Sequence, residues 1–262
     1  MLVLLPPSEG KTQPLQGRPL DLARLSGRVL TDARQEVLAA LERASAAPDA
    51  AATLGVGAAV AAEVARNLTV RTAPAAPAAH VYTGVLYTAA GLGGLRGAAA
   101  RRAERTVRIF SGLWGVLTPA DEVPAYRLSM GVSLPGPGKL STFWRGRLGG
   151  VLDDAAAGDV VVDCRSATYA AAWRPPTGAE HVAVQVVRER DGRRQVVSHN
   201  AKHARGVLTH HLLTRAGNAP TTAEELAGAA EELSDDPVAG VHAVELSAPT
   251  RGRRTLTLVE RA

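Results

Sequence analysis

Two kinds of apolar pattern run along this chain. Residues 2–5 (LVLL) and 159–164 (DVVVDC) carry continuous apolar or β-branched runs, the pattern of strands covered on both faces. VRIF at 107–110 predicts another strand. HVAVQVV (181–187) and RQVVSHN (194–200) predict a hairpin turning at Asp191-Gly192, and VHAVELS (241–247) with RTLTLVE (254–260) a closing pair. HVYTGVLY (80–87) reads as a strand entering a loop. Helical spacing appears from Thr31, a possible cap, to about Ala46, where Val37, Leu38 and Leu41 share a side and Glu36 and Arg43 lie outside. It recurs over 94–108, from Phe143 to Asp153 behind a Ser141 or Thr142 cap, over 200–215, and after a Thr221-Thr222 cap.

This mixture of strands and helices predicts an α/β (mixed α+β) fold: a single domain over residues 1–262 with a central mixed sheet wrapped by helices. No Pro/Gly/Ser-rich linker divides the chain into separate cores. No apolar run approaches the roughly 20 residues of a membrane span. Leu2–Leu5 has no basic segment before it and is too short for a signal peptide, so a cytoplasmic location is expected.

Net charge is +5, and only three of the 30 basic residues are lysines: Lys11, Lys139 and Lys202. Arginine and alanine are abundant throughout, so charge points to an anionic partner only where it clusters. One cluster is the helix with Arg96, Arg101, Arg102, Arg105 and Arg108 against the single acid Glu104. A solvated helix face fits that pattern as well as a nucleic-acid surface does. The segment 31–68 contains a second candidate contact, Gly55-Val56-Gly57, in the form of a helix-hairpin-helix turn whose backbone N–H groups could meet a DNA phosphate. An ordinary glycine turn between helices is the plainer reading.

The stretch from Val107 to Arg147 concentrates large side chains, with Phe110, Trp114, Tyr126, Phe143 and Trp144 among the chain's nine aromatics. Phe110, Trp114, Phe143 and Trp144 read as a packing scaffold, and Tyr126-Arg127 as residues facing a cleft. At the ends of predicted strands stand Ser8, Lys11, Tyr82, Tyr126, Arg127, Ser166, Tyr169, Lys202 and Arg205. Brought together they would form a positive, aromatic-lined cleft for phosphate, carboxylate or a stacked base, with Tyr126, Arg127, Tyr169 and Lys202 as the candidates for catalysis. Scattered surface pairs and core tyrosines are the alternative.

Several chemistries are excluded or disfavoured. PPSEGKT (6–12) has the Gly-Lys-Thr of a phosphate loop but Leu5 in place of its first glycine, and Pro6 and Pro7 lack the amide donors such a loop needs. The lone Cys164 excludes an internal disulfide or a thiolate cage and reads as a buried small hydrophobe. His199, His203, His210 and His211 have no neighbouring acid in their segment, so no metal and no cofactor is expected.

The block SGLWGVLTPADEVPAYRLSMG (111–131) resembles the signature of the YaaA family of bacterial peroxide-stress proteins. The likeness extends to the N-terminal strand and Lys-Thr loop, VYTG (81–84), Phe143-Trp144, Ser166, Tyr169 and AKHARG (201–206). The resemblance implies a single α/β domain with a positively charged cleft and a helix-hairpin-helix element, and a role in limiting oxidative and iron-dependent damage by binding double-stranded or locally opened DNA. By position, Lys11, Tyr126, Arg127, Lys202 and Arg205 match its polar motif residues, and Gly55-Val56-Gly57 its hairpin. The family's S-P-A-K-T start is longer here by Glu9 and Gly10, which leaves the shape of the loop at Lys11 open.

Two functions follow as expectations. One is a stress protein, expected to be monomeric, that binds DNA non-specifically through Gly55, Val56, Gly57, Arg96, Arg101, Arg102, Arg105 and the cleft. The other is an enzyme acting on a nucleotide, nucleoside or related small anion in that cleft.

Overall fold

A computed structural model describes residues 1–57, 60–190, 193–196, 200–236 and 239–261. The first strands are β1 (Leu2–Leu5), β2 (Ala76–Pro77), β3 (Val107–Ser111), β4 (Gly115–Leu117), β5 (Glu122–Val123) and β6 (Ser133–Leu134). They are followed by β7 (Gly138–Lys139), β8 (Val160–Asp163), β9 (Glu180–Arg190), β10 (Arg193–Val196), β11 (Val241–Leu246) and β12 (Arg253–Arg261). The helices begin with α1 (Thr31–Ala46), α2 (Ala50–Thr53), α3 (Ala61–Ala65), α4 (Ala78–Val81), α5 (Val85–Ala90) and α6 (Gly97–Thr106). Then come α7 (Leu140–Arg145), α8 (Gly149–Ala156), α9 (Ala167–Ala170), α10 (Asn200–Thr214) and α11 (Ala223–Glu231).

The main sheet runs β11-β12-β9-β8-β1-β3-β4, with β10 on the far part of β9. Its centre is parallel: β1 pairs with β3 and β8, β8 with β9, and β9 with β12. The edges β4, β10 and β11 are antiparallel. Every residue of β1 and β8 is buried, as their continuous apolar runs require of strands covered on both faces. From β1 the chain moves to β3 on one side, and from β8 to β9 on the other. The carboxyl ends of β1 and β8 therefore flank a topological switch point, where open α/β sheets leave a crevice.

Phe110, Trp114, Phe143 and Trp144 are buried, as the aromatic stretch predicted. Trp144 donates from Nε1 to the Gly112 carbonyl at 2.8 Å, tying α7 to the tight turn after β3. Gly115 in that turn has φ 74°, and a Cβ there would sit 2.7 Å from the Trp144 ring, so only glycine fits.

Several local readings change. Residues 80–87 are not a strand: Pro77 precedes the short α4, Tyr82 makes only an isolated bridge to Lys11, and Gly84 at φ 105° leads into α5. Thr31 is the first residue of α1 rather than its cap, and its hydroxyl donates back to the Arg28 carbonyl at 2.7 Å. The single helix expected from Phe143 is two, α7 and α8, divided at 146–148. The hairpin strands β9 and β10 form as predicted, while their turn at Asp191-Gly192 lies outside the described residues. Thr222 does cap α11, accepting from the Glu225 amide at 3.2 Å.

Candidate functional site

The loop after β1 is pinned to the start of the second layer by backbone bonds: Thr12 N–H to the Val81 carbonyl at 2.9 Å and Thr83 N–H to the Gly10 carbonyl at 3.3 Å. This brings Lys11 beside Tyr82. Its Nζ donates to the Ser8 carbonyl at 2.9 Å and lies 4.4 Å from the centroid of the Tyr126 ring and 5.6 Å from that of Tyr82. Lys11 as a whole is half-buried, but its amine end is enclosed by these aromatic faces.

Beneath the lysine lies a chain of hydroxyls. Ser111, the last residue of β3, accepts the amides of Leu113 at 3.1 Å and Trp114 at 2.9 Å on its Oγ. With both lone pairs of Oγ occupied, its own O–H must donate to Tyr126 Oη, 2.6 Å away. Tyr126 then donates to Tyr82 Oη at 2.9 Å. The two backbone amides thus set the direction of the whole chain.

Electrostatics divide the roles. Burial, helped by Arg127 and opposed by Glu63 and Glu9, lowers the Lys11 amine to about 7. Burial pushes Tyr82, Tyr126 and Tyr169 upward. The tyrosines therefore stay protonated and act as donors. Tyr126 and Tyr169, candidates for catalysis from sequence, are thus moved away from neutrality, whereas Lys11 is moved toward it.

Arg127 lies close enough to Lys11 to lower the lysine amine. Its backbone is gripped by the buried Asn67, which accepts the Arg127 N–H at 2.8 Å and donates to its carbonyl at 2.9 Å. Its guanidinium meets Glu63 at 3.2 Å and Glu9 at 3.7 Å. Glu9, in the Lys11 loop, and Glu63, which a reading of the cations alone does not reveal, offset part of the local positive charge. Asn67 gave no signal in sequence, because one amide in an Ala-rich helical stretch reveals nothing of its partner.

The structure brings together Ser8, Lys11, Tyr82, Tyr126 and Arg127. Half-buried Tyr169 joins this group, its Oη accepting the Met130 amide at 3.3 Å. Ser166 and Arg205 line a different cleft, along β8 and β9. Arg205 directs Nε and Nη2 to the Val184 carbonyl at 3.2 and 2.8 Å, and Lys202 is exposed on α10.

The proposed DNA contacts also separate. Arg101 and Arg105 are exposed, one turn apart on α6, whereas Arg96 turns back to the carbonyls of Gly93 and Leu95. Arg102 is structural: its guanidinium caps the end of α10, donating to the carbonyls of Leu212, Leu213, Arg215 and Gly217 at 2.8 to 3.4 Å. Gly55, at φ 63°, and Gly57 are exposed between α2 and α3. Of the histidines, His203 is exposed, His210 meets the Ala90 carbonyl, His211 pairs with Glu232, and His199 lies outside the described residues.

Residues 1–233 match the family model described as peroxide stress protein YaaA. The chain belongs to this family. It is similar to a UPF0246 protein of Streptomyces coelicolor, 43% identical over 98% of this chain and 97% of the relative. A UPF0246 protein of Corynebacterium efficiens is 41% identical over 86% of this chain and 89% of its own. One from Corynebacterium glutamicum is 40% identical over 81% and 84%. Family membership supports a stress-related role, and the resemblance seen in residues 111–131 extends over most of the chain. Among the described residues no helix is long and apolar enough to cross a membrane.

Proposed function

We propose that this member of the peroxide stress family carries out acid–base chemistry on a small nucleoside- or nucleotide-like substrate at the Lys11–Tyr126 site. The carrying observation is the placement of Lys11. A surface that merely neutralises phosphates keeps its lysines solvated and fully charged, whereas this amine is held against two tyrosine faces at the switch point of a parallel sheet. Near neutral pH it can take a proton from a bound substrate, while the Ser111–Tyr126–Tyr82 chain supplies a fixed donor toward developing negative charge. Half-buried Tyr169 beside Arg127 offers an aromatic surface for a base.

The test is a thermal-shift and calorimetric panel of nucleosides and nucleotides on the wild type, Lys11→Met and Arg127→Ala. The reading expects a ligand whose binding or turnover falls at least about tenfold in both variants. A panel without hits, or one in which every hit is indifferent to both substitutions, overturns it.

A second reading is favoured by one specific observation. Arg101 and Arg105 present an exposed pair on α6 without an ion-pair partner among the described residues. In that reading the protein binds double-stranded or locally opened DNA non-specifically through α6 and the turn at Gly55–Gly57. Affinity would then fall with salt at a log–log slope of about −0.9 per phosphate contacted. Replacing both arginines by alanine would flatten that slope.

A further inference from the structure

A second cleft, of about 700 Å³, opens over the β8, β9 and β12 strands, a volume typical of small-molecule sites. The sheet register explains its floor. Asp163 stands beside Ala183, Ala183 beside Thr255, and His181 beside Arg253, all on one face of the pleat together with Gln185. That face is small or polar where a covered sheet would be apolar. Trp173, Pro175 and Pro176 supply an apolar wall.

The charge of the cleft is one-sided. Arg165, Arg174, Arg205, Arg251 and Arg253 line it, against the single carboxylate Asp163. Asp163 is already fully engaged: Arg165 donates Nε to one oxygen and Nη2 to the other, both at 2.8 Å, and His181 Nε2 lies 2.9 Å from the second. Burial opposes ionisation of Asp163, but the hydrogen bonds from Arg165 and His181 outweigh it and hold the carboxyl well below the usual range. His181 therefore donates from Nε2, which leaves its Nδ1 edge for a ligand. Arg165 is itself buried on the Phe110 ring, 4.2 Å from its centroid. Arg174, Arg251 and Arg253 are exposed and hold no ion pair among the described residues, and Arg205 has Nη1 remaining after its bonds to Val184.

We propose that this cleft binds a small phosphate ester, with its phosphate held by Arg174, Arg205 and Arg253, its organic part against the wall of Trp173, Pro175 and Pro176, and a ligand hydroxyl hydrogen-bonded at His181 Nδ1. Guanidinium groups without carboxylate partners on a concave wall match the bidentate geometry of a phosphate, and the apolar wall suits a ring. A duplex, with its phosphates on a convex surface, could reach only the rim arginines.

The experiment is calorimetric titration with pyrophosphate, a nucleoside 5′-monophosphate, the parent nucleoside and a duplex oligonucleotide. The proteins are the wild type, Arg174→Ala, Arg253→Ala and, for the other site, Lys11→Met. The monophosphate should bind, the nucleoside should bind at least about tenfold more weakly, and each arginine variant should lose about tenfold in affinity for the monophosphate. Lys11→Met should stay within about twofold, so failure here is distinguishable from failure at Lys11. The proposal is overturned if neither phosphate compound binds, if both arginine variants bind as the wild type does, or if Lys11→Met alone weakens binding. Duplex binding that depends on these arginines without binding of the monophosphate overturns it as well.

Discussion

The amine of Lys11 lies 4.4 Å from the centre of the Tyr126 ring, and the hydroxyl of that ring accepts from Ser111 at the end of β3. Through Ser111 the pair links the loop after β1 to the end of β3, and it places a titratable group in an aromatic enclosure there. Cation–π attraction offsets some of the cost of desolvating the ammonium, but burial dominates and the amine is lowered to about 7.

The first consequence is a pH-dependent stability. A lysine lowered from 10.5 to about 7 binds a proton in the unfolded chain, but not in the folded one, between those values. Its contribution therefore rises with pH across that window, and the penalty is full below it. Lys11→Met should be stabilised relative to the wild type at pH 6, and the gap should narrow steadily toward pH 10.5. Urea denaturation at several pH values reads this directly, and a pH-independent gap would contradict it.

Asp163 behaves in the opposite sense. Its folded pKa is depressed, so its contribution is present above the ordinary carboxylate range and is lost as pH falls through and below it. Asp163→Asn leaves Arg165 buried without its charge partner and should destabilise the fold by about 3 kcal/mol at neutral pH. The difference from the wild type should shrink in acid.

Cys164 is fully buried, and burial pushes its thiol up to about 12. It should resist both iodoacetamide and hydrogen peroxide in the native protein and react only after denaturation, as followed by intact mass. Rapid native oxidation would make it a peroxide sensor, a role its environment opposes.

Close packing explains the glycine of the AKHARG segment. A Cβ on Gly206 would lie 2.4 Å from the Leu86 carbonyl oxygen and 2.7 Å from the Ala89 Cβ, where α10 crosses α5. Gly206→Ala should cost about 2 kcal/mol or more in a thermal or chemical melt despite the better helix propensity of alanine. Arg101→Ala, on an exposed face, should change stability by less than about 0.5 kcal/mol.

The strands buried on both faces were legible in sequence because their signal is local: LVLL and VVVD could scarcely be anything else. So was the buried aromatic scaffold, since large side chains in an Ala-rich chain must supply the core. Residues 80–87 misled, because alternating aromatic and apolar residues look like a strand when Pro77 and Gly84 are not read as the starts of two short helices. The site was half legible. Several of the polar residues at the strand ends do come together, but whether a cation is free depends on partners distant in sequence. Glu63 meets Arg127 across 64 positions and the end of α10 claims Arg102 across more than 100, and neither pairing leaves a periodic trace. The same reason hid the division of one imagined cleft into two.

With three lysines in the whole chain, the ionisation of Lys11 can be observed without crowding. Lysine labelled at Cε, followed by NMR over pH 5 to 12 in the wild type and in Lys11→Met, tests the central claim most directly. One resonance should titrate near pH 7 and disappear in the variant. A Lys11 resonance titrating near the ordinary lysine value of about 10.4 would contradict it.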